Sequence, residues 1–291
     1  MIYQFSPFLN ENLIASIAAK ESSKYGGIIY ITESNRNFHY CLKESNYKSD
    51  GSNNIIYDFL NVDDLFVPND LVGKIKLFPY RLKWNSYEKN ILKSPTWYNE
   101  AVQRNLAAKK ENLKINDNDI IILCDIDEII DSNKIEIIID GVKKYGIVTG
   151  KLYFTLFYFN LYSKNWAGAK DYSYRLFAMS GKYFKNMPYS SDELRKRGEN
   201  DELKDKIHLI NEFIGFHHSW IGDEKFIQNK INSYAHVNEH QGLNSVDYIR
   251  NCLKNHESIF PGHILEMNEK IKLLDSVNEL KNTKVLENFF L

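Results

Sequence analysis

The sequence predicts an α/β fold built on a central mixed, mostly parallel sheet, because short apolar runs alternate with segments of helical periodicity. Residues 2–5 and 28–32 are two such runs, and the amphipathic segment between them ends near Gly26, which predicts a compact β-α-β unit. The run at residues 120–124 predicts the most deeply buried strand, and polar residues follow it directly.

The remaining elements are predicted in chain order. A third strand is expected at residues 74–78, where Pro79 would stop it, and a helix is expected from residue 97 to about residue 113. The tail at residues 245–291 is expected to be mainly helical. No linker or internal repeat interrupts the 291 residues, which predicts a single domain. Further strands are expected at residues 147–149, 152–159 and 174–179.

The composition limits the classes of function. Lysine and arginine number 37 against 38 acidic residues, so no broad basic surface for nucleic acid is expected. The longest apolar stretch, residues 152–162, is too short to cross a bilayer. The three cysteines lack the spacing of a metal site, and the first residues lack the pattern of a signal peptide. We therefore expect a cytoplasmic protein.

Residues 185–206 form the most charged and least periodic part of the chain. Two interpretations stay open for this segment. It is either a solvated loop or a mobile lid over a functional site, since long loops in compact domains are often functional.

Asp125, Asp127 and Glu128 form the most informative group, because they follow a buried strand directly. Ligands of open α/β sheets bind beyond the carboxyl ends of the strands, where three carboxylates repel one another unless a cation offsets their charge. Oxygen ligands in small number suit Mg²⁺ or Mn²⁺. An acidic turn that caps the next helix is the simpler alternative. A phosphatase that forms an aspartyl phosphate is a weaker one, because its motif usually lies near the amino terminus.

Two further pairs of side chains are candidates for the same site. Glu100 and Arg104 lie one helical turn apart, which indicates either an ordinary ion pair or an arginine that faces the acidic group or a phosphate. His217 and His218 are adjacent, and a neutral imidazole can complete a metal shell that Asp127 begins, although satisfied or surface histidines are the simpler interpretation. Adjacent residues on a strand point to opposite faces, so at most one of the two histidines enters the site.

Trp220 and Lys230 complete the set of candidates from the residues themselves. An indole face can stack on a sugar or a base, and an ammonium group can contact a phosphate. A core tryptophan and a solvated lysine are the simpler interpretations of these two positions.

Six short segments occur in the sequence in a fixed order. This order identifies a protein family more specifically than any one segment does. Together they resemble glycosyltransferase family 17, over roughly residues 1–240. The segments are Phe5 to Glu11, Glu33-Ser34 with Phe38 and Lys43, Trp97 with Glu100, Gln103 and Arg104, Asp125 to Ile129, Gly215 to Trp220, and Lys230 to Glu239.

The resemblance implies a GT-A-type nucleotide-sugar-binding fold, a divalent metal ion (Mn²⁺ or Mg²⁺) and inversion at the anomeric carbon. The donor would be a UDP-sugar, with UDP-N-acetylglucosamine as the leading candidate. By analogy, Asp127 would bind the metal, Asp125 would bind the ribose or a metal-bound water, and His217 would be a further metal ligand, so the expected metal set is Asp125, Asp127 and His217. The expected donor-binding residues are Glu33, Lys43, Glu100, Arg104, Asp125, Trp220 and Lys230.

An inverting displacement also needs a carboxylate base. Asp192, Glu193 and Glu212 are the candidates, because they lie between the acidic group and the histidine segment. Residues 1–130 would form the nucleotide-binding half, residues 131–240 the acceptor and metal half, and residues 241–291 a C-terminal helical segment.

The expected acceptor is a glycan or glycoconjugate, and peripheral association with a membrane stays open. A non-catalytic carbohydrate-binding or scaffold protein on the same fold is the alternative function.

Overall fold

A computed structural model describes residues 1–83, 94–109, 113–166, 170–200, 203, 207–233, 242–281, 283–284 and 286–291. Its strands are β1 Ile2–Pro7, β2 Gly27–Ser34, β3 Ile55–Leu60, β4 Ile120–Leu123, β5 Glu128–Ile130, β6 Ile147–Leu156, β7 Leu161–Ser163, β8 Tyr172–Ser173, β9 Phe177–Ser180, β10 His208–Ser219 and β11 Leu265–Met267. Its α-helices are α1 Asn12–Ser23, α2 Leu71–Lys83, α3 Pro95–Ala107, α4 Ile135–Tyr145, α5 Gly181–Lys185, α6 Ser191–Glu199, α7 Glu224–Ser233, α8 Val246–Asn255 and α9 Asp275–Leu280.

The described strands form one mixed sheet in the order β11-β7-β6-β9-β4-β1-β2-β3, with β10 paired to both β5 and β6 and β8 paired to β6. Pairing is parallel between β1 and its two neighbours, between β2 and β3, and between β6 and β10. The other six pairings are antiparallel. The predicted α/β class and mixed sheet are confirmed, but the sheet is not mostly parallel.

The amino-terminal β-α-β unit is confirmed, because β1 and β2 are parallel neighbours on either side of α1. The buried β4 lies parallel to β1 on its other side, with Phe5 opposite Leu123. Both strands therefore end at the same edge of the sheet. This edge carries the chain from β1 into Phe8 and from β4 into Asp125.

A turn follows β4 and reverses the chain, and the amide of Glu128 donates to the carbonyl of Asp125 at 3.0 Å. The next strand, β5, runs antiparallel to β10, so that Glu128 lies opposite His217. Gly215, two residues before His217 on β10, lies opposite Ile130 on β5. A Cβ atom at Gly215 would lie 2.1 Å from the carbonyl oxygen of Ile129. Close approach of these backbones thus brings the histidine segment to the acidic turn.

Two predicted elements differ from the structure. The strand predicted at residues 74–78 is wrong, because this segment belongs to helix α2. Its apolar residues lie on several faces of the helix, with Leu77 buried and Ile75 and Phe78 exposed, so their run in the sequence is not a strand signal. Pro79 lies inside the helix instead of stopping a strand.

The expectation of a loop or mobile lid at residues 185–206 is wrong for residues 191–199, which form helix α6. The helix begins at Ser190, whose hydroxyl accepts a hydrogen bond from the amide of Glu193 at 3.1 Å. It buries Leu194 and Arg195. Charged residues that are buried against opposite charges leave no apolar periodicity in the sequence, which explains the missed helix.

Smaller differences concern element boundaries. The strands predicted at 147–149 and 152–159 are one strand, β6, and the edge strand β3 was not predicted. The C-terminal tail contains α8, α9 and the short strand β11, with irregular segments between them. Among the helices of the described ranges, none is both long and apolar enough to cross a membrane.

Candidate active site

A cleft of about 500 Å³ opens at the edge of the sheet where β1, β4 and β10 end. Helices α3, α6 and α7 contribute its other walls through charged side chains. Most of the predicted site residues meet here, although they are far apart in the sequence. The cleft is lined by Glu100, Arg104, Asp125, Asp127, His217, Trp220 and Lys230 from the predicted set.

Asp125 is held by two guanidinium groups. Arg104 donates from Nε to Oδ1 at 3.1 Å and from Nη2 to Oδ2 at 3.3 Å, and Nη2 of Arg195 lies 2.8 Å from Oδ2. Burial raises the pKa of Asp125, but the two arginines outweigh it and lower the pKa to about 2. Both oxygens of this carboxylate are therefore engaged by cations of the protein itself.

Asp127 lies among a histidine and a lysine. His217 Nε2 is 3.4 Å from Oδ1, and Lys230 Nζ is 3.3 Å from Oδ2. Lys230 also contacts Oε1 of Glu11 at 3.1 Å and lies 5.4 Å from the centre of the Trp220 ring. Burial raises the pKa of Asp127, yet His217 and Lys230 hold it well below its ordinary value.

Glu128 is fully buried and joins the two halves of the turn. Its Oε2 accepts from the amide of Asp125 at 2.8 Å, and its Oε1 accepts from Nη1 of Arg195 at 2.6 Å. Glu128 also lies 3.9 Å from Nδ1 of His217. The acidic turn is thus a fixed structure and does not resemble a solvated loop.

Asp127, Glu128 and His217 can hold a metal ion. One ligand atom from each of the three lies within 4.8 Å of the other two, and all three residues are buried. Nδ1 of His217 has no hydrogen-bond partner, although it is buried. Two carboxylates and an imidazole are a donor set that suits a divalent ion such as Mn²⁺, so these residues fit the implied metal.

The structure differs from the expected metal set at one position. Asp125 is not part of this group, and Glu128 takes its place. The carboxylate of Asp125 lies against Arg104 and Arg195. The spacing of Asp125 and Asp127 could not predict this difference. It does not show which carboxylate will pair with an arginine from a distant helix.

The two histidines point to opposite faces of β10, as predicted. His218 is fully buried away from the cleft, where its Nδ1 and the hydroxyl of Thr155 are 2.6 Å apart. Its ring stacks on Phe216 and meets the edge of Phe159. Burial lowers the pKa of His218 to about 3, so it is a neutral core residue at physiological pH.

The three predicted base candidates lie outside the cleft lining. Asp192 is buried behind Arg104, whose Nη1 donates to its Oδ1 at 2.7 Å, and burial raises its pKa. Glu193 pairs with Arg197 at 2.8 Å on the same helix. Glu212 is half exposed on β10 and contacts Lys134 at 2.8 Å. These three residues lie between the acidic turn and the histidine segment in the sequence, but they do not lie between them in the folded chain.

Glu33 and Lys43 also lie outside the cleft lining. Glu33 is fully buried at the end of β2, where it pairs with Lys43 and accepts from the amide of Asn46 at 3.0 Å. The hydroxyl of Tyr57 donates to it at 2.9 Å. The pair therefore fixes the loop after β2. Residues 236–239, which complete the last predicted motif, lie outside the part of the chain that the structure describes.

Four charged residues of the cleft were missed by the sequence analysis: Arg175, Arg195, Lys196 and Glu199. Three of them are on α6, the segment that was interpreted as a loop or lid. For Arg175 the sequence did contain a signal, because it stands alone among the apolar residues at 172–179. A single charge beside a buried strand needs a partner of opposite charge.

No protein-family model and no curated protein matches the chain. Among solved structures, a galactosyltransferase, LgtC, crystallised in complex with donor and acceptor sugar analogues, shares 14% sequence identity over 72% of this chain and 73% of its own, with a TM-score of 0.32. A TM-score this low does not establish a common fold. These comparisons also leave the resemblance to glycosyltransferase family 17 unproven, so the site is interpreted below from its own residues.

Proposed function

We propose that the protein is a metal-dependent, inverting glycosyltransferase of the GT-A type, which transfers a sugar from a UDP-sugar to a hydroxyl group of a glycan acceptor. The observation that carries the proposal is the convergence of residues from four separate sequence motifs on one cleft. N-acetylglucosamine is the best candidate for the transferred sugar, because these motifs resemble glycosyltransferase family 17. The converging residues are Arg104, Asp125, Asp127, His217 and Lys230.

The position of the cleft supports a nucleotide ligand. It lies beyond the carboxyl ends of the parallel strands β1 and β4, where open α/β sheets bind nucleotides. Trp220 lines the cleft, but its ring is buried against Lys230 and Phe260, so it supports the shape of the cleft more than stacking on a sugar. Lys230 keeps Asp127 ionised, because an opposite charge at 3.3 Å favours the charged carboxylate.

Asp127, Glu128 and His217 would hold Mn²⁺ or Mg²⁺, whose charge would neutralise the departing diphosphate. Arg104 would act indirectly. It orients Asp125 and Glu100 at the same time, and so fixes the carboxylates that face the substrates.

Glu100 is the best candidate for the base. It lines the cleft, its Oε1 pairs with Arg104, and its buried Oε2 has no hydrogen-bond partner. In the proposed reaction Glu100 takes the proton of the acceptor hydroxyl while that oxygen attacks the anomeric carbon. The bond from this carbon to the diphosphate breaks, and the nucleoside diphosphate leaves with the electron pair.

The first test is the metal site. We expect Mn²⁺ with UDP to raise the melting temperature of the protein, and Asp127→Ala to abolish this rise, because one of three ligands is lost. Asp117→Ala removes an exposed carboxylate that pairs with Lys185, and should leave the rise intact. Equal metal-dependent UDP binding by D127A and the wild type would contradict the metal assignment.

The second test is turnover on a panel of nucleotide sugars, with release of the nucleotide as the readout. We expect Glu100→Gln to lower kcat about 100-fold or more, while UDP still binds. Glu193→Gln is the matched control, because Glu193 is buried outside the cleft lining. If no donor releases nucleotide from the wild type, the alternative of a non-catalytic carbohydrate-binding protein is favoured instead.

A further inference from the structure

The cations of the cleft differ in how many acceptors they already have. Arg104 donates from Nε and Nη2 to Asp125, from Nη1 to Asp192 and from Nη2 to Glu100. A guanidinium group has five N–H donors. Arg104 therefore has little capacity left for a substrate, although the sequence analysis assigned it to the donor.

Arg195 and Lys230 are similarly engaged. Arg195 contacts Asp125 at 2.8 Å, Glu128 at 2.6 Å and Glu199 at 3.5 Å. Lys230 contacts Glu11 and Asp127. These cations neutralise the acidic side of the cleft, because each already forms ion pairs with carboxylates of the protein.

Arg175 and Lys196 are different, because they share one carboxylate. Nη2 of Arg175 lies 3.3 Å from Oε1 of Glu199, and Nζ of Lys196 lies 3.3 Å from Oε2. Nε of Arg175 has no hydrogen-bond partner. Both cations line the cleft, and Lys196 is held over the ring of Trp97 at 4.4 Å. Among the described residues, Glu199 is the acid with which both cations form ion pairs, and Arg195 contacts it as well.

We propose that Arg175 and Lys196 form a phosphate-binding subsite, separated from the acidic turn by Arg195. The proposal rests on the proposed function, since the phosphate groups nearest to such a site would be those of the donor diphosphate. A guanidinium group and an ammonium group that already lie in a cleft bind phosphate by charge-assisted hydrogen bonds. Burial, with a smaller contribution from Arg195, lowers the pKa of Arg175 although Glu199 opposes this, so an added anion would favour its charged form.

The phosphate that binds at this subsite could instead belong to the acceptor. Binding measurements with UDP and with inorganic pyrophosphate distinguish the two cases. If the subsite serves the donor, its loss weakens the binding of UDP. If it serves the acceptor, UDP binding is unchanged and only the binding of inorganic pyrophosphate weakens.

The experiment measures the affinities of UDP and inorganic pyrophosphate by calorimetry, and of uridine by NMR, for the full chain with Mn²⁺. We expect Arg175→Gln and Lys196→Gln each to weaken UDP and pyrophosphate binding roughly tenfold, because each removes a charge-assisted contact. Uridine should bind as it does to the wild type. Arg175→Lys, which keeps the charge, should recover part of the loss.

Arg197→Gln is the matched control, because it removes a positive charge from the same helix at a side chain that pairs with Glu193 instead of lining the cleft. Melting temperatures identify a variant that does not fold, and Lys196, with a side chain 20% exposed, is the more tolerant position. Binding of both UDP and pyrophosphate within twofold of the wild type in K196Q and in folded R175Q would overturn the subsite.

The outcomes also separate this inference from the proposed function. A wild type that binds pyrophosphate but not UDP, with the loss in K196Q, would retain the subsite and contradict the nucleotide-sugar function. If the wild type binds UDP with Mn²⁺, and every variant binds both UDP and pyrophosphate as tightly as the wild type does, the proposed function is retained and the subsite is overturned.

Discussion

Glu21 shows how a single buried carboxylate can join distant parts of this chain. It lies on α1 and is fully buried, and it accepts from the amide of Ser132 at 3.0 Å and from the amide of Ser276 at 2.9 Å. Burial raises its pKa, but these hydrogen bonds outweigh burial, and the pKa is lower than the ordinary 4.5. The carboxylate therefore connects α1 to the segment after β5 and to α9.

This lowered pKa predicts a pH-dependent stability. A carboxylate whose pKa is lower in the folded state stabilises the fold above its unfolded value, and the contribution is lost as the pH falls below about 4.5. We expect Glu21→Gln to lower the free energy of unfolding by about 1–3 kcal/mol at pH 7. Urea unfolding at pH 7 and pH 4 checks this, because the difference should shrink at pH 4. A constant difference would contradict the role of charge.

At the scale of residues, the sequence predicted the acidic turn and His217 and left a contact with Arg104 open, but it did not predict Arg195 as a partner of the turn. Asp125 and Asp127 were visible because they follow a buried strand. The roles of Glu128 and Arg195 were not visible, since they depend on contacts between residues 67 positions apart. Local spacing shows which side chains are available, and only the packed structure shows which oxygen remains for a ligand.

At the scale of elements, the register of β5 and β10 decides the geometry of the metal candidate. Gly215 allows the two backbones to approach, and a one-residue change of register would turn His217 away from Glu128. The sequence shows the glycine, but it does not show which strand will pair with it. The β-α-β unit was easier to predict, because its strands and helix are consecutive.

The contact at Gly215 gives a prediction for the β5–β10 pair. Gly215→Ala would place a Cβ 2.1 Å from a backbone oxygen of Ile129, which cannot move without shifting β5. We expect a loss of stability of about 1–3 kcal/mol and loss of the melting-temperature rise with Mn²⁺ and UDP. Gly141→Ala in helix α4 is the control, since the nearest atom to its Cβ would be one methyl carbon of Val148 at 2.9 Å, with the next atoms at 3.8 Å. An intact rise in G215A would contradict this role.

At the scale of the whole molecule, the near-zero net charge conceals a concentration of both signs in one place. The formal charge is −1, and the sequence showed only that no broad basic surface exists. The structure adds that acidic and basic side chains meet in the cleft. The long-range order of the antiparallel strands was not predictable, because pairings such as β4 with β9 join segments far apart in the chain.

Coupling between these charges can be measured with a double-mutant cycle on Arg195 and Glu128. Removal of either residue leaves the other buried without its partner, so each single substitution to glutamine should cost stability and the double substitution should cost less than the sum. We expect an interaction energy of about 1–3 kcal/mol from urea unfolding. The exposed pair Lys134 and Glu212 should give nearly additive values. Additivity at Arg195 and Glu128 would contradict the coupling.

The position of Arg195 also limits how this site can change in evolution. Its guanidinium group touches three carboxylates, from the turn after β4 and from α6, so a new residue there leaves several acids unpaired at once. Libraries that vary one position at a time should return the original arginine. Variants with altered substrate preference should appear only when residues 128, 195 and 199 are randomised together.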